Sequence, residues 1–229
     1  MDPNRPDQPS PAGRTDRTPG PRPGTAVAPI DTVDALIAVL ELGARQPEER
    51  SADHDARPVR AGDAGAEGPD RPAEKVDQLA HALQCAHELR LGAPDDLELQ
   101  VAGLVHDVGK LVAPDDDAGH GRTGATAVRS LLGDRVARLV ELHVPAKRYL
   151  VSTDPSYRRR LSPVSILTLS HQGGAMTSDE VAAFAADPVS RAAVVLRRAD
   201  EAAKRPGRAV PPLDAWRPAL DRAAQRARR

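Results

Sequence analysis

Aromatic residues make up only 2% of this 229-residue chain, two tyrosines, one phenylalanine and one tryptophan, and this scarcity constrains the fold more than any other feature. A core without large rings must be assembled mainly from Ala, Leu and Val. Those residues, together with abundant Glu, Arg and Gln, favour packed helices over strands, so an all-α protein is predicted. The length allows one domain of ordinary size with tails. A net charge of −1 gives no overall field toward nucleic acid or a membrane surface. No apolar run reaches the roughly 18 residues of a membrane span, and no charged start followed by an apolar run marks a secretory signal. The single cysteine, Cys85, excludes an internal disulfide framework and a thiolate-based metal site, which fits a reducing cytoplasm.

Residues 1–28 are dense in Pro, Gly, Arg and Asp and are expected to form a disordered tail. Residues 29–205 form the expected domain, in which 47–71 return to tail-like composition and predict a mobile linker. Apolar spacing predicts helices over 31–46, with Ile37, Leu40 and Leu42, and over 73–91, with Val76, Leu79, Leu83 and Leu89. Pro94 suits the first turn of a helix through Val105, and Gly109 suits a chain turn after it. An acidic loop at 112–120 precedes helices at 121–132 and 134–143, the second kinked or ended by Pro145. Further helices are predicted near 162–171, 178–186 and 188–204, and 206–229 reads as a basic C-terminal helix or tail.

Within the apolar run LVHDVGK, His106 and Asp107 place an imidazole and a carboxylate side by side, a combination suited to a metal with open positions for substrate. His81, His120, His143 and Asp200 complete a set of six ligand-type side chains at helical sites. A lone histidine in a helix is ordinarily a packing or surface residue. Four of the seven histidines fall in this set, however, leaving His54, His87 and His171 outside it. Six ligands are too many for one open metal and suit two metals sharing Asp107. Nitrogen and oxygen donors without sulfur accept iron, manganese or zinc.

Ser165, Thr168 and Gln172, at i, i+3 and i+7, would share a helix face, for which solvent exposure is the ordinary account. Arg197 stands three residues before Asp200 and Lys147 four after His143. Hydroxyl, amide and cationic donors converging near metals would suit an anionic, oxygen-rich group such as phosphate or phosphonate.

A His-Asp pair flanked upstream by His and downstream by a distant Asp resembles the HD-domain metalloprotein superfamily, and the intervening His120 and His143 resemble its dinuclear branch. The segments QLAHALQCAHEL (78–89), LVHDVGK (104–110), HVPAKRYLVSTDPSY (143–157), LSPVSILTLSHQGGAM (161–176) and LRRADEAAK (196–204) sharpen that likeness. They resemble the HD-domain mixed-valent di-iron oxygenases that cleave 2-amino-1-hydroxyethylphosphonate and related hydroxyphosphonates, and more distantly myo-inositol oxygenase. The resemblance implies an all-α HD-domain bundle with a dinuclear site in its core. His81, His106, Asp107 and Asp200 would hold one iron, and Asp107, His120 and His143 the other. Lys147, Ser165, Thr168, Gln172 and Arg197 would bind phosphonate oxygens, with Asp107 and Lys147 at the chemistry, and Glu74 would lie near the substrate amine.

The chain departs from the family pattern at two positions. Lys110 stands where the phosphonate cleavers tend to carry the last His of HDxGH, at the substrate, and Arg71 where the family can place a Tyr. The resemblance implies a mixed-valent Fe(II)/Fe(III) pair and, as partners, O2 and a small anionic organophosphonate whose C–P bond is cleaved to phosphate and a carboxylic acid. Two rival functions share the same ligands: a dinuclear phosphohydrolase, for which manganese would serve, and a metal-containing module that senses a phosphorylated ligand.

Overall fold

The computed structural model describes residues 27–45, 76–116, 118–161 and 163–229. Most of the expected tail, the linker at 47–71, and Arg71 and Glu74 lie outside the described residues. Among the described residues the chain forms ten α-helices and no sheet: α1 (Val33–Leu42), α2 (Gln78–Gly92), α3 (Leu97–Val105), α4 (Val108–Val112), α5 (His120–Thr153), α6 (Pro155–Arg160), α7 (Pro163–His171), α8 (Ser178–Ala186), α9 (Ser190–Ala202) and α10 (Arg217–Ala227). No helix is long and apolar enough to cross a membrane.

Side-chain caps set several helix starts, by satisfying amides that have no partner within the helix. Thr32 Oγ1 accepts from Ala35 N at 3.1 Å for α1, Asp77 Oδ1 from Ala80 N at 2.6 Å for α2, and Asp96 Oδ1 from Leu99 N at 3.0 Å for α3. Pro94 therefore lies ahead of α3 rather than in its first turn. Thr177 and Glu180 cap α8 reciprocally.

The core is aliphatic, as the composition requires, and α5 runs through it against α3, α4, α6, α8, α9 and α10. Leu36, Ile37 and Leu40 bury the inner face of α1, whereas Leu42 is 56% exposed and does not join them. Val27, in the expected tail, packs on the core, and the Ile30 amide donates to Ala127 O at 2.8 Å. The C-terminal segment is part of the fold. Trp216, Leu220 and Ala223 are buried, and α10 packs on α3 and α5.

Of two features of α5, one agrees with the sequence expectation and one differs. Gly133 breaks it at φ 84° and ψ 171°, a conformation open to glycine, so the expected division at 133 stands. Pro145 does not end the second segment, which runs eight residues further to Thr153. Proline denies an amide to the Glu141 carbonyl. Packing on several neighbours outweighs that loss, and Gly121 lies so close that a Cβ there would stand 3.3 Å from the Glu141 oxygen. One consequence matters for the site: Lys147 sits one helical turn beyond His143 on the same continuous segment.

Gly109 also has a different role from the expected turn. It lies within α4, and a Cβ on it would overlap the carbonyl oxygen of His120 and approach Gly124 N to 2.9 Å. Gly109 and Gly124 together let α4 and the start of α5 touch backbone to backbone.

Candidate metal centre

Five elements deliver the six ligand-type side chains to one buried place. His81 comes from α2, His106 from the C-cap of α3, Asp107 from the N-cap of α4, His120 and His143 from α5, and Asp200 from α9. All are at most 7% exposed. Asp107 occupies an N-cap position but makes no capping hydrogen bond, and its carboxylate turns inward instead. The acidic segment before α5 anchors that helix. Asp116 accepts from the Gly119 amide at 3.0 Å and from Thr123 Oγ1 at 2.6 Å, fixing the start of the helix that carries His120.

The side chains form two triads, His81/His106/Asp200 and Asp107/His120/His143, in each of which the ligand atoms lie within 4.8 Å of one another. His81 Nε2 is 3.2 Å from both His106 Nε2 and Asp200 Oδ1. In the second triad, His120 Nε2 and His143 Nε2 are 2.9 Å apart and lie 3.2 and 3.5 Å from Asp107 Oδ1. The other oxygen of Asp107, Oδ2, faces the first triad, 3.5 Å from His106 Nε2 and 3.9 Å from His81 Nε2. One carboxylate therefore presents an oxygen to each triad.

Hydrogen bonds on the outer ring nitrogens test whether this arrangement suits cations. His106 Nδ1 donates to Gly103 O at 2.8 Å and His143 Nδ1 to Val140 O at 2.6 Å. A carbonyl only accepts, so Nδ1 carries the proton and Nε2 is left as a bare lone pair. Burial lowers the pKa of His106, and lowers that of His143 to about 4, so both rings are neutral at pH 7. Lone pairs and carboxylate oxygens converging at about 3 Å repel one another unless a cation lies between them, and these separations suit metal–ligand bonds of about 2.1 Å. Burial would raise the pKa of Asp107, but Lys110, His106, His120 and His143 hold it well below the usual carboxylate range. Asp200 is likewise depressed against its burial, by Arg197, His81 and His106. Cys85 is buried and in neither triad.

Apart from Glu74, which lies outside the described residues, the remaining expected residues gather beside the triads. Lys147, 3% exposed, donates from Nζ to Thr168 Oγ1 at 2.8 Å and to Gln172 Oε1 at 3.1 Å. Burial, reinforced by the Arg197 charge, lowers its pKa to about 7. Ser165 is buried, so the α7 face is not the solvated one that composition alone would favour. Arg197 is turned to its protein neighbours: Nη1 bonds Asp200 Oδ2, Nε bonds the Tyr157 hydroxyl at 2.7 Å and Nη2 bonds Glu201 Oε2 at 2.6 Å. Lys110 Nζ donates to Asp107 Oδ2 at 2.7 Å.

Lys204 and Tyr157 belong to this neighbourhood although sequence reasoning assigned them no role. Lys204 Nζ donates to Ser165 Oγ at 3.3 Å, and its place four residues after Asp200 and seven after Arg197 was the available signal. For Tyr157, one of only two tyrosines, nothing in the local pattern indicates a bond to Arg197. Tyr157 and Glu201 also line a cavity of about 370 Å³ with Arg160, Arg198 and Ala202.

The HD domain family model matches residues 76–204, which carry every ligand-type residue of both triads. Hydroxymethylphosphonate dioxygenase from Gimesia maris is 38% identical over 152 residues, covering 62% of this chain and 75% of the relative. The glycine-betaine-forming [1-hydroxy-2-(trimethylamino)ethyl]phosphonate dioxygenase from Leisingera caerulea is 36% identical over 152 residues, covering 62% of this chain and 76% of the relative. With its helical bundle and paired His/Asp triads, this chain belongs to the HD-domain family and, within it, groups with the phosphonate oxygenases.

Proposed function

We propose that this chain is a di-iron oxygenase that cleaves the C–P bond of a small 1-hydroxyphosphonate with O2. The overall change R–CH(OH)–PO3H2 + O2 → R–COOH + H3PO4 balances in atoms and electrons. The observation that carries this reading is the split Asp107 carboxylate, whose two oxygens address two buried triads beside a cluster of ammonium, hydroxyl and amide groups. Both relatives are named for substrates with hydroxyl and phosphonate on one carbon and differ in what else that carbon bears.

In this assignment His81, His106, Asp107 and Asp200 hold one iron, and Asp107, His120 and His143 the other, with few protein ligands on the second. The iron pair, mixed-valent when active, supplies the one-electron chemistry with O2 that no side chain here can perform. The protein contributes placement. Lys147, Ser165, Thr168 and Gln172 bind phosphonate oxygens, and the half-titrated Lys147 takes up a proton as the dianion arrives. Arg197 holds Asp200 from behind and adds positive charge to the phosphonate end. The interior position of the triads limits water at the reacting carbon.

Anaerobic loading with ferrous iron, followed by controlled O2 and hydroxymethylphosphonate, tests the assignment. Release of one phosphate per O2 consumed is expected. Phosphate released from phosphate esters with no O2 consumed, most of all with manganese, would establish a hydrolase instead.

A further inference from the structure

The full sequence holds four aromatic residues, Tyr149, Tyr157, Phe184 and Trp216, and all four are described. Tyr149 stacks on Phe184 with ring centroids 4.7 Å apart. Tyr157 is packed among Leu150, Val151 and Leu161, with its hydroxyl on Arg197. Trp216 is buried, with the Arg90 guanidinium 4.9 Å from its ring centroid. A quaternary ammonium needs aromatic faces or carboxylates around it. The undescribed residues contain no Phe, Tyr or Trp, and of the four rings only Tyr157 borders the cavity described above, where Arg160 and Arg198 stand beside it.

The carboxylates near the centre are equally committed among the described residues. Asp107 and Asp200 face the imidazoles, Glu201 bonds Arg197, and Asp116 holds the start of α5. Against this background Lys110 brings a positive charge to the bridging position itself. Its Nζ is 2.7 Å from Asp107 Oδ2, while its side chain remains 27% exposed, so the ammonium stands where the centre meets the outside. Lys147, Arg197 and Lys204 already place positive charge on the other side of the centre, beside Thr168, Asp200 and Ser165.

We propose that Lys110 is a specificity-determining residue that directs this site to hydroxyphosphonates whose carbinol carbon bears an uncharged or anionic substituent, and away from those bearing an ammonium or trimethylammonium group. This rests on the function proposed above. A like charge roughly 6 Å away at a half-exposed site weakens binding by about tenfold. An uncharged substituent meets no such cost, and an anionic one gains by a similar factor.

The test is kcat/KM of the iron-loaded full chain for hydroxymethylphosphonate, (1-hydroxyethyl)phosphonate, a carboxylate-bearing 1-hydroxyphosphonate, 2-amino-1-hydroxyethylphosphonate and its trimethylammonium analogue. Lys110→Met, Lys110→Glu and Glu74→Gln are measured alongside the unaltered protein. The unaltered protein should favour the uncharged and anionic substrates by about tenfold or more. Lys110→Met should narrow the gap and Lys110→Glu invert it, both read as ratios within one variant. A preference for the cationic substrates in the unaltered protein overturns this inference alone. So does a ratio that ignores Lys110 and moves only in Glu74→Gln. Turnover of none of these compounds overturns the proposed function and this inference with it.

Discussion

Adding one methyl group at Gly109 should remove one metal from the centre. A Cβ there would overlap the His120 carbonyl oxygen and stand 2.7 Å from its carbonyl carbon and 2.9 Å from Gly124 N. Ordinary contacts between carbon atoms begin near about 3.5 Å, so α4 and α5 must part by roughly 1 Å. Every atom met is backbone, and no flexible side chain can move aside. The cost should therefore lie toward the upper end of the about 1–3 kcal/mol typical of overpacking, which lowers Tm by roughly 5–10 °C in a chain of this size.

The same displacement acts on the chemistry. Asp107 stands at the N-cap position of α4, and its Oδ1 lies 3.2 Å from His120 Nε2 on α5, the two helices that are forced apart. Metal–ligand distances tolerate about 0.2 Å, several times less than the displacement. The triad of His81, His106 and Asp200 spans α2, the end of α3 and α9 and escapes the clash. Gly109→Ala should thus bind one iron per chain where the unaltered protein binds two. The assay is iron content after anaerobic loading, paired with thermal unfolding. Two irons and a Tm within about 1 °C of the unaltered protein would refute the reasoning.

Other outcomes follow from the same geometry. His120→Ala should lose the second iron and retain most of the first; equal loss of both would show that the triads are not separable. Arg197→Met should lower the Tm of the metal-free protein by roughly 10 °C, because it strands the buried Asp200 carboxylate, and iron should raise Tm more in this variant than in the unaltered protein. A fall of under about 2 °C would contradict that role. Lys147, with its pKa lowered to about 7, should make substrate binding weaken above neutrality. Its ammonium share drops from about one half at pH 7 to about one tenth at pH 8, so KM should rise about fivefold more than in Lys147→Arg, whose charge persists. Parallel KM profiles would contradict this. The sign reverses for folding. The unfolded chain holds the Lys147 proton up to an ordinary lysine pKa, so this residue makes the folded state relatively more stable as pH rises from 7 toward 10, and Lys147→Met should lack that gain.

The sequence made much of this arrangement legible because the informative residues conflict with their surroundings. A His-Asp pair inside LVHDVGK is chemically costly in an apolar run unless something binds it, and helical spacing alone puts Ser165, Thr168 and Gln172 on one face. The helices themselves were legible through apolar periodicity and caps such as Thr32. What remained hidden depends on contacts between distant segments. Pro145 predicts a kink or an end because its local cost is visible in sequence, whereas the packing of α5 on its neighbours is not. Gly109 looked like a turn because its close approach to His120 crosses from one helix to another. The bonds of Arg197 to Tyr157 and Glu201 join α6 to α9 and one turn of α9 to the next, and no local pattern indicates the first of them. The C-terminal segment reads only as a basic helix or tail because a stripe of alanine and leucine does not reveal which surface it covers.

Iron content and electron paramagnetic resonance of the partly oxidised, iron-loaded protein test the two-metal centre most directly. Two irons per chain and the signal of a coupled Fe(II)/Fe(III) pair, altered by a hydroxyphosphonate and abolished in Asp107→Ala, are the expected result. One iron per chain, or two irons with no coupling between them, would contradict a centre bridged by Asp107.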